Sequence, residues 1–206
     1  MKKLTPYLED EDDEDEDEGK QDSDAFDEKL LKTRTILLCG EINKALAEKT
    51  IKQLLILDTA GKDEDKPEPI KLFIDSPGGD ADAGYAIFDM IRFIKAPVIT
   101  IGMGLVASAA AIIQLAAPKE RRTGLPNSHY LIHQPLSGIR GVATDIEIHA
   151  RELEKLREKI NKLIADETGQ PLEHVEKDTD RDYWMTAEEA VKYGLISRVV
   201  TSANDI

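Results

Sequence analysis

Cysteine is nearly absent from this chain: Cys39 is the only one among 206 residues. That excludes an intrachain disulfide framework and a cysteine-rich zinc site, and no metal is expected. Aromatic residues are few as well, at 5% against 41% hydrophobic residues overall, so a core must be built from aliphatic side chains and alanine. No apolar run approaches the ~18 residues that a membrane-spanning helix requires. Met1-Lys2-Lys3 has the charge of a secretory n-region, but Leu4-Thr5-Pro6-Tyr7-Leu8 is no hydrophobic stretch and acids follow at once. A soluble, cytoplasmic protein is expected. Basic charge is also short. The net charge of −14 argues against nucleic acid or an anionic membrane as the main partner, since both repel an acidic surface.

The acidity is concentrated at one end. Residues 1–28 carry a net charge of −11, leaving −3 for residues 29–206, and ten consecutive acids run from Glu9 to Glu18. Such a block repels itself and has nothing to bury, so residues 1–28 read as a disordered acidic tail. Residues 29–206 are long enough for one domain.

Within that domain Thr35–Gly40 reads as a buried strand. A helix from Asn43 to about Asp58 follows, with Ala47, Ile51, Leu54 and Leu55 on its apolar face. A charged loop, Gly61–Pro69, leads to a strand at Ile70–Asp75 that stops at Ser76-Pro77-Gly78-Gly79. Helical spacing returns over Ala81–Ile94, Pro97–Met103 is a third strand, Gly104 marks a sharp turn, and Ala107–Ala117 is a nearly uniformly apolar, buried helix. His129–His133 is a further strand. This alternation argues for an α/β domain with parallel strands. Thr144 and Glu147 form a capping-box pattern, and the helical pattern then runs to Thr168 with Gly169 as its stop. A helix of that length approaches 36 Å at about 1.5 Å per residue, more than a small domain covers, so part of its apolar stripe is expected to meet another subunit. A second capping box, Thr186 to Glu189, opens a short helix ended by Gly194, and Leu195–Val200 closes as a strand.

Three features bear on chemistry. Ser108 stands at the joint between a buried strand and a buried helix, where a hydroxyl suits nucleophilic attack better than packing. Its small neighbours admit a substrate backbone, and amides at the helix start favour a developing oxyanion. His133 emerges where its strand gives way to Gln134-Pro135 and is the best placed of the four histidines to act as a base. His149 and His174 fall in polar helical segments, and His129 opens its strand. The Gly78-Gly79 pair lets the backbone turn sharply and present amides to a ligand. No Gly-Lys-Ser/Thr follows, so it is not a phosphate loop, and Ser108 lacks the Gly-x-Ser-x-Gly elbow. Spacing alone leaves Asp178, Asp180 and Asp182 open as third members of a Ser–His–acid set.

Together these segments resemble the proteolytic subunits of the Clp protease family (ClpP), which are self-compartmentalising serine peptidases. The matching stretches are Ile74–Gly79, Gly104–Ala109, Leu125–Ser128, Ile132–Pro135, Ala143–Ile148, Thr168–Gln170 and Asp178–Asp182, spread from about Thr35 to Thr201. The resemblance implies a ClpP/crotonase-like α/β fold of repeated β-β-α units with a protruding handle helix at Thr144–Thr168. It implies Ser108 as nucleophile, His133 as general base and Asp182 as the group orienting the imidazole, with the amides of Gly79 and Ala109 as oxyanion hole. Substrate is then expected as an added strand between Ala81 and the Leu136–Gly138 segment. Asp180 and Arg181 match positions that pair between two stacked heptameric rings. The resemblance further implies no cofactor in this chain, ATP being used by a separate AAA+ unfoldase, and unfolded proteins or peptides as substrates.

The chain departs from the family pattern in places. Ala109 stands where many relatives have methionine, Leu105-Val106 replaces a common Gln-Ala, Lys71 replaces a frequent aromatic, and the acidic tail replaces a processed, pore-gating segment. Two other readings follow: a weakly active or structural paralogue in a mixed ring with a second ClpP-like subunit, and a crotonase-type acyl-CoA enzyme. The complete Ser–His–Asp set argues against the last.

Overall fold

A computed structural model describes residues 26, 28–60 and 67–206. The expected disordered tail lies outside the described residues except for Phe26 and Glu28, and residues 28–32 are helical. Most of the expected Gly61–Pro69 loop also lies outside them.

The described elements alternate. Strand β1 (Thr35–Cys39) leads to helix α1 (Lys44–Thr59), β2 (Ile70–Ser76), α2 (Ala81–Phe93), β3 (Val98–Ala107) and the short α3 (Ala109–Gln114). Then come β4 (Arg122–Gly124), β5 (His129–Ile132), the long α4 (Ala143–Thr168), α5 (Leu172–Asp178), β6 (Tyr183–Thr186), α6 (Ala187–Tyr193) and β7 (Arg198–Val199). One sheet runs β1-β2-β3-β4-β7, with β5 on a second stretch of β3 and β6 beyond it. Every pairing is parallel except β5 with β6.

Strand β3 continues past the turn expected at Gly104. Its first half pairs with β4 at Thr100–Gly102 and its second half with β5 at Leu105–Ala107. Gly104, at φ +53°, bends the strand between the two halves, and the Asp75 carboxylate accepts the freed Leu105 N–H at 3.0 Å. The fork carries the end of β3, and hence Ser108, out of the main sheet. Helix α3 is accordingly shorter than the expected Ala107–Ala117, but all six of its residues are buried.

Other boundaries shift for identifiable reasons. β1 is an edge strand with Leu37 42% exposed, so it is buried on one face only. On α1 the buried face carries Leu54 and Leu57, while Leu55 turns outward. Helix α4 starts at Ala143, with Val142 as its N-cap two residues before the expected Thr144 and no side-chain cap, and ends at Gly169 with φ +81°. Its C-terminal residues Ile160, Ile164 and Ala165 are buried, whereas Ile146 and Ile148 are exposed.

The second capping box forms as the sequence indicates. Thr186 Oγ1 accepts the Glu189 N–H, and the Glu189 carboxylate accepts the Thr186 N–H at 2.8 Å. These bonds hold the Glu189 carboxyl below its ordinary range. Thr186→Ala is expected to lower stability by about 1 kcal/mol, read as a shift of the urea unfolding midpoint with unchanged slope.

Candidate active site

The site is assembled at the carboxyl ends of the parallel strands. β2 ends in a turn shaped by the Gly78 N–H donating to Ser76 Oγ at 3.1 Å. The turn is tied to the β1–α1 loop by two bonds of 2.8 Å, Ile42 N–H to Gly78 O and Asp80 N–H to Ile42 O. Gly78 and Gly79 take φ +93° and +145°, a region L side chains rarely occupy. α2 starts directly after this turn, its Ala83 N–H capped by the Asp80 carboxylate at 2.9 Å.

Opposite the turn, Ser108 joins β3 to α3. Its backbone adopts φ +56° and ψ −119°; among the described non-glycine residues only Arg34 shares a positive φ. Such a conformation costs about 1–3 kcal/mol and persists only where the surroundings enforce it. Here Ser108 N–H donates to Leu131 O at 2.9 Å, and Ser108 O accepts from Ala111 N–H at 3.0 Å. The geometry is that of a strand–serine–helix elbow, built without a Gly-x-Ser-x-Gly motif. The necessary space comes from elsewhere in the chain: a Cβ at Gly78 would lie 2.7 Å from Ser108 Cβ, and one at Gly84 would lie 3.2 Å from Ala109 Cβ.

β5 and β6 bring up the other two side chains. The antiparallel register pairs Ile132 with Tyr183, so the next residue out on each strand, His133 and Asp182, face one another. His133 Nε2 lies 2.9 Å from Ser108 Oγ, and His133 Nδ1 lies 3.0 Å from Asp182 Oδ1. The His133 side chain is 16% exposed and that of Asp182 62%. Of the three aspartates left open by spacing, only Asp182 reaches the histidine. Asp178 accepts from the Tyr193 hydroxyl at 3.1 Å, and Asp180 pairs with Arg157 of α4 at 3.3 Å.

A cleft of about 670 Å³ opens over Ser108 and His133. Gly79, Ala81, Ala109, Ile112, Leu136, Leu156 and Ile160 are among the residues that line it. Gly138 is not among the lining residues. His149, read from the sequence as a residue of a polar helix, also faces the cleft, where its Nε2 lies 2.6 Å from Ser137 Oγ. The helical spacing of His149 with Leu153 and Leu156 was the available signal. His174 stands apart, 3.2 Å from Gln170 Oε1. Among the described residues no group of His, Cys, Asp or Glu side chains could hold a metal ion, and no helix is long and apolar enough to cross a membrane.

A profile of the family described as Clp protease matches residues 17–203. The chain belongs to the Clp protease family. It is 66% identical over 185 residues to the ATP-dependent Clp protease proteolytic subunit 2 of Treponema denticola, covering 90% of each chain. With the proteolytic subunit 3 of Rhizobium etli it shares 54% identity over 177 residues, covering 86% of this chain and 89% of the other. A solved structure of a ClpP1 variant from Listeria monocytogenes superposes with a TM-score of 0.78 at 47% identity, over 86% of this chain and 96% of that one. The fold is thus that of ClpP, and the chain is a proteolytic subunit of the Clp family, a serine endopeptidase.

Proposed function

We propose that this Clp subunit cleaves peptide bonds with Ser108 as nucleophile, His133 as general base and then acid, and Asp182 as orienter of the imidazole. The unbroken hydrogen-bonded chain from Ser108 Oγ through His133 to Asp182 carries this reading. His133 Nε2 takes the hydroxyl proton as Oγ attacks the scissile carbonyl, and Asp182 fixes the tautomer and stabilises the imidazolium. The amides of Gly79 and Ala109 receive the oxyanion; that of Ala109 lies in the first turn of α3, where a helix offers no internal partner. His133 then returns the proton to the departing amine, leaving an acyl ester on Ser108. Water, activated by the same imidazole, hydrolyses that ester. The substrate lies extended between Ala81 and the Leu136–Gly138 segment, bonded through its main chain, which gives low side-chain selectivity.

The active assembly is two stacked heptameric rings, cytoplasmic and without a cofactor of its own. Its substrates are peptides, and unfolded proteins delivered by a separate ATP-driven AAA+ unfoldase. α4 supports this arrangement: it spans about 39 Å and leaves Val142, Ile146 and Ile148 exposed at its outer end, between 43% and 66%. Asp180 and Arg181 contribute to the contact between rings. A second reading, a mixed ring with another ClpP-like subunit, draws on the subunit numbers 2 and 3 in the relatives' names.

Intact-mass spectrometry after fluorophosphonate treatment tests the proposal. One adduct per chain, mapped to Ser108, is the expected result. An unlabelled serine in an assembled, folded preparation would overturn the assignment.

A further inference from the structure

The helix that carries Ser108 at its N-cap is only six residues long and makes no side-chain cap. So short a helix has no stability of its own, and its position is set by the packing of its buried side chains together with what holds its ends. Beyond its C-terminus three carbonyls, those of Leu115, Ala116 and Ala117, are taken by two guanidinium groups. Arg92 of α2 donates to Leu115 O at 3.3 Å and to Ala116 O at 3.2 Å. Arg122 of β4 donates to Ala117 O at 2.6 Å. Cations at that end also suit the negative pole of the helix.

Both guanidinium groups then converge on one side chain. Glu167, in the last turn of α4, accepts from Arg92 Nη2 through Oε1 at 2.5 Å and from Arg122 Nη2 through Oε2, and its main-chain carbonyl accepts from Arg122 Nη1 at 2.8 Å. The Arg122 side chain is 2% exposed, and burial pulls its pKa down despite the carboxylate beside it. Arg92 also lies over the Phe88 ring, 4.3 Å from its centre. The three helices joined at this carboxylate are those that frame the cleft. α3 follows directly on Ser108, α2 starts at the Gly79–Ala81 turn, and α4 supplies Leu156 and Ile160 to the cleft lining.

We infer that Glu167, through Arg92 and Arg122, is a positioning residue for catalysis: it fixes the nucleophile helix against the handle helix and so sets where Ser108 Oγ stands over the cleft. The inference rests on the proposed role of Ser108. It also gives the protruding helix a mechanical route to the nucleophile, because a shift at the foot of α4 moves the far end of α3.

Glu167→Gln keeps the shape but removes the charge and places an NH₂ donor against a guanidinium. kcat for a short peptide is expected to fall about tenfold or more with KM within about twofold, since the loss is of alignment rather than binding. The rate of fluorophosphonate labelling should fall in parallel. Sedimentation and thermal unfolding would establish that the variant is assembled and folded. Wild-type kcat and labelling in such a preparation would overturn the inference. Should Glu167→Gln fail to fold, Arg92→Met decides, because Arg92 is 44% exposed and its loss leaves the Arg122–Glu167 pair intact. There kcat should fall about threefold at constant KM, and an unchanged kcat would overturn the inference. Absence of Ser108 labelling in the wild-type protein would instead remove the proposed function, and this inference with it.

Discussion

Ser108→Ala is expected to lower peptide hydrolysis by at least about 10⁴-fold and to abolish the fluorophosphonate adduct, while leaving fold and assembly intact. Alanine tolerates φ +56° no worse than serine does, and the bonds that hold the elbow are main-chain: Ser108 N–H to Leu131 O, and Ala111 N–H to Ser108 O. The lost Oγ leaves His133 Nε2 without its 2.9 Å partner, but the open cleft allows water to take that place. His133→Ala should fall as far, and the double variant no further, because residues acting as a unit are not additive. Two independent losses that multiply would contradict a shared proton-transfer chain. Unchanged turnover in Ser108→Ala would end the assignment of the nucleophile.

The sequence pattern exposed the alternation of strands and helices because buried strands such as Ile70–Asp75 are short apolar runs bounded by glycine or proline. The helix stops at Gly169 and Gly194 were equally visible, since both take the left-handed conformation that the pattern implies. β6 was not visible: Tyr183–Thr186 is four residues of an edge strand, and because the outward Trp184 is apolar, its alternating burial leaves no apolar–polar alternation in the sequence. Its partner on β5 is far away in sequence, and that pairing, with the bonds from Gln134 to Thr179 O and Asp180 O, brings Asp182 to His133. Spacing therefore left three aspartates open, and the family resemblance was needed to choose one.

The elbow at Ser108 was hidden for a related reason. Its sequence, Val106-Ala107-Ser108-Ala109, shows no glycine, because the glycines that make room for it belong to the β2–α2 turn and to α2. Gly104 read as the end of a strand but acts as a bend inside one, a distinction that depends on Asp75 accepting the Leu105 N–H. The Arg92–Glu167–Arg122 cluster was equally illegible. Charged residues near helix ends read as solvated surface, and only the fold places Arg122 in the interior. Sequence pattern thus located the elements, while the contacts that align the site cross between segments distant along the chain.

That dependence makes Gly78→Ala a single-methyl change with a large expected effect on catalysis. Alanine at φ +93° is strained by about 1–2 kcal/mol wherever it stands. At Gly78 its Cβ would also lie 2.7 Å from both Ser108 Cβ and Ala107 O, and 3.1 Å from Ala109 N. None of those atoms belongs to a flexible side chain, so the backbone itself must shift. The turn has little freedom to retreat, since Ile42 N–H holds Gly78 O at 2.8 Å and Ser76 Oγ holds the Gly78 N–H at 3.1 Å. Whichever side yields, Ser108 and the Gly79 amide separate from their common geometry, and a displacement near 1 Å costs about 100-fold in rate. The expected result is a kcat lower by that factor, slower fluorophosphonate labelling and a melting temperature lower by several degrees. Gly40→Ala is the matched control. It carries nearly the same φ, +87°, but its Cβ would meet nothing within 4 Å, so it should lose stability through strain alone and retain wild-type kcat. Equal kcat in both variants would show that strain, rather than contact with the nucleophile, is all that Gly78 relieves. A fall confined to Gly78→Ala would tie the β2–α2 turn directly to the placement of Ser108.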